Sequence, residues 1–358
     1  MMRTIAGLVA LATVSVASAA TKPAAQARAV TGFSDTAETV MGTLVAPPSR
    51  EFLTRIRNGK MGGVILLRNG WLTRRTAATV TAELQQAACA RGEPLLIAVD
   101  QEGGLVRRLP WASPTEAPAY MSSPSVARSQ AWDAAADLRS VGIDVDFAPV
   151  VDTPGRGGNF LGSRAFSSSR TWNASLGGAF VGGLQKNGIA ATAKHFPGLG
   201  LASGNTDKGR IVIRAAGWKL RQGLLPFQAA VRAGVKLVMV ATAVYPKLDG
   251  SKRPAAFSST IIHGLLRTKL GFKGVTVTDS LTAPAADRIP HTATRAMLAG
   301  SDLLIFGAES ASERGYSTLV ADEAGSPRLQ ARLTQAAARI RALKAWLAAH
   351  GGPICSTK

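Results

Sequence analysis

Residues 73–104 read TRRTAATVTAELQQAACARGEPLLIAVDQEGG, and this stretch holds the repeating unit of the chain. An amphipathic segment with apolar residues at helical spacing stops at Gly92. A short, almost wholly apolar run, PLLIAVD, follows and ends in Asp100, Gln101 and Glu102. A strand with no polar alternation is buried on both faces, which is the condition of a parallel sheet covered by helices. Working outward, similar runs occur at VMGTLVA from Val40, GGVILL from Gly62, DVDFAPVVD from Asp144, IAATAKHF from Ile189, KLVMVATAVYP from Lys236, GVTVTDSL from Gly274 and DLLIFGAE from Asp302. Helical patterns separate them, among them SREFLTRIRNG, SLGGAFVGGLQKNG, LRQGLLPFQAAVRAG, SSTIIHGLLRTKLG and the closing PRLQARLTQAAARIRALKAWLAAHG. Several stop at Gly, the usual C-terminal residue of a helix. The pattern predicts an α/β fold, a single-domain (β/α)8 TIM-type barrel over residues 34–350. A doubly wound open sheet is the other candidate, but no glycine-rich phosphate loop follows an early strand. Alternate strand residues Val64, Ile65, Ile97, Val99, Val275 and Val277 are expected to fill the barrel.

The ends of the chain carry separate expectations. Residues 1–19 combine Arg3, an uncharged apolar run and Ala17-Ser18-Ala19, the pattern of a cleaved export signal. Residues 20–33 read as a linker and 351–358 as a C-terminal tail. The expected setting is therefore extracytoplasmic, with no integral membrane segment after cleavage. The formal net charge of +20 favours anionic surroundings such as cell-wall polymers, or reflects an arginine-rich habit. The basic residues are scattered without aromatic interleaving, so no nucleic-acid partner is expected.

In a barrel of this kind chemistry sits at the C-terminal ends of the strands. Polar residues there are Asp100, Gln101 and Glu102, then Asp152, Lys194 with His195, Tyr245, Asp279 and Glu309. Any one aspartate after a strand is ordinarily a cap or a turn. Several carboxylates close to Arg107, Arg108, Arg164 and Lys194 make a different pattern, because sugar hydroxyls are held by charge-assisted hydrogen bonds and glycosidic cleavage needs an ionised carboxylate. No metal or cofactor is called for.

The motifs LLIAVDQEGGLVRRL, DFAPVVD, GSRAF, ATAKHFPGLG and GVTVTDSL resemble those of family 3 glycoside hydrolases, in particular the short bacterial β-N-acetylglucosaminidase branch. The resemblance runs from about Val40 to Ala308. It implies a retaining, exo-acting hydrolase of terminal β-N-acetylglucosaminides, such as those of peptidoglycan, with a carbohydrate as its partner. It also implies that Asp279 is the nucleophile and that Asp100, Arg108, Arg164, Lys194 and His195 hold the sugar. Lys194 and Arg164 are expected to keep the Asp279 pKa low. Ser280 stands where the branch commonly has a second aspartate, which should lower that pKa further.

One motif departs from the pattern. In that branch the loop after KHFPG carries an Asp-Ser-His whose histidine is the acid/base, whereas GLGLASGNTDKGR has no histidine. The other histidines, His263, His291 and His350, do not match the motif. Larger members take an acid from a following domain, which is not expected here. Asp207 falls within about one position of the missing histidine and is the tentative acid/base; the other reading of Asn205-Thr206-Asp207 is a simple turn. Two further readings stay open: a catalytically weak sugar-binding envelope protein, and a hydrolase or phosphorylase of another β-glycoside. Finally, Cys89 ends the second helix and Cys355 lies just past the eighth, close enough around a closed barrel for a disulfide.

Overall fold

The computed structural model describes residues 32–68, 71–155 and 160–355. The expected signal at 1–19 and most of the linker at 20–33 lie outside the described residues. The linker's last residue, Phe33, belongs instead to the folded body: it is buried in the core, under the Lys344 ammonium.

The described residues form nine strands: β1 (Met41–Leu44), β2 (Gly63–Leu66), β3 (Leu96–Val99), β4 (Gln101–Gly103), β5 (Val106–Arg107), β6 (Val145–Asp146), β7 (Ala190–Phe196), β8 (Leu237–Val240) and β9 (Val275–Thr278). Seven of them form one parallel sheet in the order β1-β2-β3-β6-β7-β8-β9, while β4 and β5 form a small antiparallel hairpin. Helices follow the sheet strands, and their starts are set by side-chain caps. Ser49, Thr73, Ser123, Ser169 and Ser326 each accept a bond from the amide three residues on, satisfying a donor the helix leaves free.

The expected eighth strand is not a regular strand. Residues 302–306 make isolated bridges, Leu304 with Val40 and Leu303 with Val277, and hydrogen bonds to both neighbours, including Met41 N to Leu304 O at 3.0 Å. Two features shorten this segment. At its start the Asp302 carboxylate accepts bonds from Arg267, Arg332 and Arg339, and at its end Gly307 opens a loop. What the chain forms is a TIM-like α/β fold with seven regular strands.

Alternation along the strands sorts the apolar residues into two layers. Met41, Ile65, Leu96, Ala98, Phe147, Met239, Val275, Val277 and Ile305 share one buried cluster. Val64, Ile97 and Val99 pack instead in the larger cluster that includes the helices, so these three do not fill the interior as expected. Polar residues are admitted at the strand ends, which is where the site is built.

Cys89 and Cys355 are joined by a disulfide with a Cα–Cα distance of 5.2 Å, across a sequence separation of 266 residues. It ties the C-terminal tail to the end of the helix Arg74–Cys89. Closing so long a loop restricts the unfolded chain, so reduction should cost about 2–5 kcal/mol of stability. Urea denaturation with and without reductant measures this; coincident midpoints would contradict it.

Candidate active site

A cavity of about 680 Å3 opens at the C-terminal ends of the strands and is lined by Asp100, Arg108, Arg164, Lys194, His195, Asp207 and Asp279. All seven site residues expected from the sequence are thus brought together. Pockets for small ligands commonly enclose about 300–1,000 Å3.

Asp100 follows β3 and is turned into the cavity by the hairpin. Gly103 and Gly104 have φ of +99° and +57°. A side chain on Gly103 would meet the Glu116 carbonyl at 2.2 Å, so glycine is required where the turn folds tightly. The turn brings Arg108 back over Asp100, with Arg108 N donating to Asp100 O at 3.3 Å and Nη2 standing 4.0 Å from Oδ2. That wide spacing leaves both side chains capacity for a ligand's hydroxyls.

Behind this pair lies an ion network. Lys194 Nζ donates to Asp100 Oδ1 at 2.7 Å and lies 2.7 Å from Glu102 Oε1. Arg164 meets Glu102 with two bonds of 2.8 Å. Glu102 is buried, which alone would raise its pKa; Lys194 and Arg164 outweigh this and hold it down at about 2. Burial likewise works to lower the pKa of Lys194, but Asp100 and Glu102 raise it above the ordinary lysine value. Both groups therefore stay charged through the working pH range.

His195 is held from behind. Asp152 Oδ2 lies 2.7 Å from Nδ1 and accepts the His195 amide at 3.1 Å, while Oδ1 accepts the Leu199 amide at 2.6 Å. Asp152 thereby orients the ring through Nδ1 and ties down the start of the following loop. Tyr245 is buried beneath that loop and donates to Gly198 O at 3.1 Å.

Asp279 stands one residue past β9 and accepts the Ser280 amide on Oδ1 at 2.7 Å. Its pKa is raised, contrary to the expectation from the sequence. Burial is the leading cause and Asp207 adds to it, against weaker opposing effects of His195, the Ser280 amide and Lys194. The expectation failed because the cations are engaged elsewhere: Arg164 is committed to Glu102, and Lys194 to Asp100 and Glu102.

Asp207 sits exposed at the cavity rim, in a span pinned at both ends. Gly155 N donates to Gly200 O at 3.1 Å on one side, and the Val212–Val244 bridge holds the other. Asn205 Oδ1 accepts the Asp207 amide at 2.9 Å, so the segment forms an Asx-type turn as well as lining the cavity.

Three polar candidates do not contribute directly. Glu309 begins the helix Glu309–Glu323 and pairs with Arg55 at 3.2 Å, Arg107 donates to Pro110 O at 2.9 Å, and Tyr245 is spent on the loop. The sequence reading passed over Arg68 and Phe147, which line the cavity. Phe147, in the DFAPVVD motif, could have been found by alternation with Asp146; Arg68 lies in a loop without any pattern.

Replacing Asp100 by alanine should remove the hydroxyl acceptor and loosen Lys194, weakening binding of an N-acetylglucosamine analogue by about ten- to a hundredfold. Calorimetric titration giving an affinity equal to wild type would contradict the assignment.

Comparison with known proteins agrees with this geometry. Residues 25–343 match the family described as glycosyl hydrolase family 3 N terminal domain. A beta-hexosaminidase of Stenotrophomonas maltophilia (strain K279a) is 34% identical over 280 residues, covering 74% of this chain and 81% of that protein. The solved family 3 β-N-acetylglucosaminidase of Paenibacillus sp. str. FPU-7 superposes with a TM-score of 0.83 at 31% identity, over 90% of this chain and 64% of that one. For the β-N-acetylhexosaminidase of Beutenbergia cavernae DSM 12333 the TM-score is 0.80 at 30% identity, over 87% and 97% of the two chains.

Proposed function

Because the chain belongs to glycosyl hydrolase family 3, a glycoside hydrolase of the β-N-acetylhexosaminidase-like kind, we propose that it is a retaining, exo-acting enzyme that releases terminal β-N-acetylglucosaminyl units through an ester on Asp279. One observation carries this reading. Asp100 and Glu102 are engaged by Lys194, and Asp152 by His195, whereas Asp279, which lines the cavity, accepts among the described residues only the Ser280 amide.

In the proposed first step an Asp279 carboxylate oxygen attacks the anomeric carbon. The bond to the aglycone oxygen breaks, and that oxygen keeps the electron pair and takes a proton from Asp207. In the second step water attacks the same carbon, Asp207 receives the water's proton, and the ester bond breaks to restore the Asp279 carboxylate. Asp100 and Arg108 grip the sugar hydroxyls, with Arg164, Lys194 and His195 fixing the cavity wall. For Asp207 to act as an acid the loop must carry it over bound sugar into a drier setting near Asp279, where like charge and burial favour its protonated form.

An extracytoplasmic setting belongs to the same proposal. The signal pattern at 1–19 supports it, as does the Cys89–Cys355 bond, since disulfides persist in oxidising compartments. The +20 charge fits anionic cell-wall polymers as the surroundings.

Asp207→Ala tests the acid. With a poor leaving group the loss should be about 10²–10⁴-fold, and with an activated aryl glycoside it should be small and restored by azide. Equal, modest losses on both substrates would reduce Asp207 to a turn residue. No turnover of either substrate by wild type, with sugar still bound, would favour the weak sugar-binding reading that the missing histidine motif keeps open.

A further inference from the structure

A second cavity, of about 600 Å3, lies outside the sugar pocket and shares none of its lining. Five cations surround it: Arg210 from the loop after β7, Lys252 and Arg253 from the loop after β8, Arg295 from the helix Thr292–Ala299, and Arg328 from the first turn of Pro327–Ala349. No acidic side chain lines it. Among the described residues none of the five forms a salt bridge. Asp249, which interacts with Arg253 at longer range, is engaged by Ser251 and Ser258. Part of the lining is apolar: the buried ring of Phe257 together with Ile289 and Leu298.

Each of these features narrows the ligand. Five like charges around one opening repel one another, and a bound anion relieves that repulsion. A bare ion would leave the apolar part of the lining in water, whereas an anion with an apolar stem covers it. The volume is that of a small-ligand pocket rather than of a protein interface.

We propose that this cavity is a second ligand site that binds an anionic amphiphile, a phosphate or carboxylate headgroup on a short apolar chain. The cations ring the headgroup and the stem lies on Phe257 and Leu298. The site is independent of the glycosidase chemistry, because none of its residues lines the sugar pocket.

The test is calorimetric titration of the full chain with dodecyl phosphate below its micellar concentration, beside inorganic phosphate and uncharged dodecyl maltoside. It is repeated on the triple variant Arg253→Ala, Arg295→Ala, Arg328→Ala, whose changed residues are all exposed. We expect one dodecyl phosphate per chain, bound at least about tenfold more tightly than either control and weakened at least about tenfold in the triple variant. Glycosidase turnover of that variant should match wild type and its melting temperature should not fall below it, so failure here is distinct from failure of the nucleophile assignment. Co-sedimentation with vesicles of phosphatidylglycerol and phosphatidylcholine, lost in the variant, would identify a membrane headgroup as the source. Binding of the free amphiphile alone would identify a soluble one. Equal affinity of wild type and variant, or of dodecyl phosphate and either control, would overturn the site.

Discussion

Asp279→Asn should abolish turnover, by at least about a thousandfold in kcat, while leaving sugar binding and fold in place. The amide has nearly the same shape but cannot form the glycosyl ester. The same substitution should also raise the melting temperature at neutral pH. Burial raises the Asp279 pKa, so the folded protein holds that proton more firmly than the unfolded chain. Such a group contributes stability at pH below its unfolded pKa, and the contribution is lost as pH rises through the folded value. Where Asp279 is ionised, the wild type therefore carries a disfavoured, partly buried charge that the asparagine variant lacks. Retention of more than a few per cent of activity would remove Asp279 from the nucleophile's role. A variant less stable than wild type at neutral pH would contradict the electrostatic account of the site.

Lys194→Met should be the most damaging change to the wall of the cavity. It leaves Asp100 and the buried Glu102 without the cation they share, at bond lengths of 2.7 Å. Removing one partner of such a network typically costs about 3–5 kcal/mol. The sign of its pH dependence follows from Glu102. Its folded pKa, about 2, lies below the ordinary 4.5, so its contribution is present above the ordinary value and lost as pH falls toward the folded one. The deficit of the variant should accordingly be full at neutral pH and shrink in acid. Urea midpoints at neutral pH and near pH 4 measure it, and a loss below about 1 kcal/mol at both would mean that Arg164 alone satisfies Glu102.

The sequence made the strand ends legible because an apolar strand closing in a charged residue is unusual unless the charge is used. Asp100, Lys194, His195 and Asp279 were found that way and do share one cavity. Which charge pairs with which was not legible. Arg164 lies 62 residues from Glu102 and Lys194 lies 94 from Asp100, and nothing in local spacing indicates those choices. For this reason the cations were assigned to Asp279, and its pKa was expected to be low. The eighth segment differs for a related reason: DLLIFGAE has the continuous apolar run of a buried strand, but three arginines from distant helices claim Asp302 at its start. Glu309, which closes the same apolar run in the sequence, opens the helix Glu309–Glu323, and its pairing with Arg55 is equally non-local. The disulfide is more legible, since one of the chain's two cysteines, Cys89, ends a helix and the other, Cys355, lies in the tail a few residues past the last helix.

The central claim is the covalent role of Asp279, and trapping the intermediate tests it most directly. A 5-fluoro-N-acetylglucosaminyl fluoride keeps a good leaving group while its ring fluorine slows both steps, so an ester should accumulate even where protonation of the aglycone is weak. Proteolysis and mass spectrometry of the quenched protein should then find one fluoro-N-acetylglucosaminyl unit on the peptide that contains Asp279, and none on the Asp279→Asn variant. An adduct on any other carboxylate, or turnover of the reagent with no adduct at any time, would contradict the account.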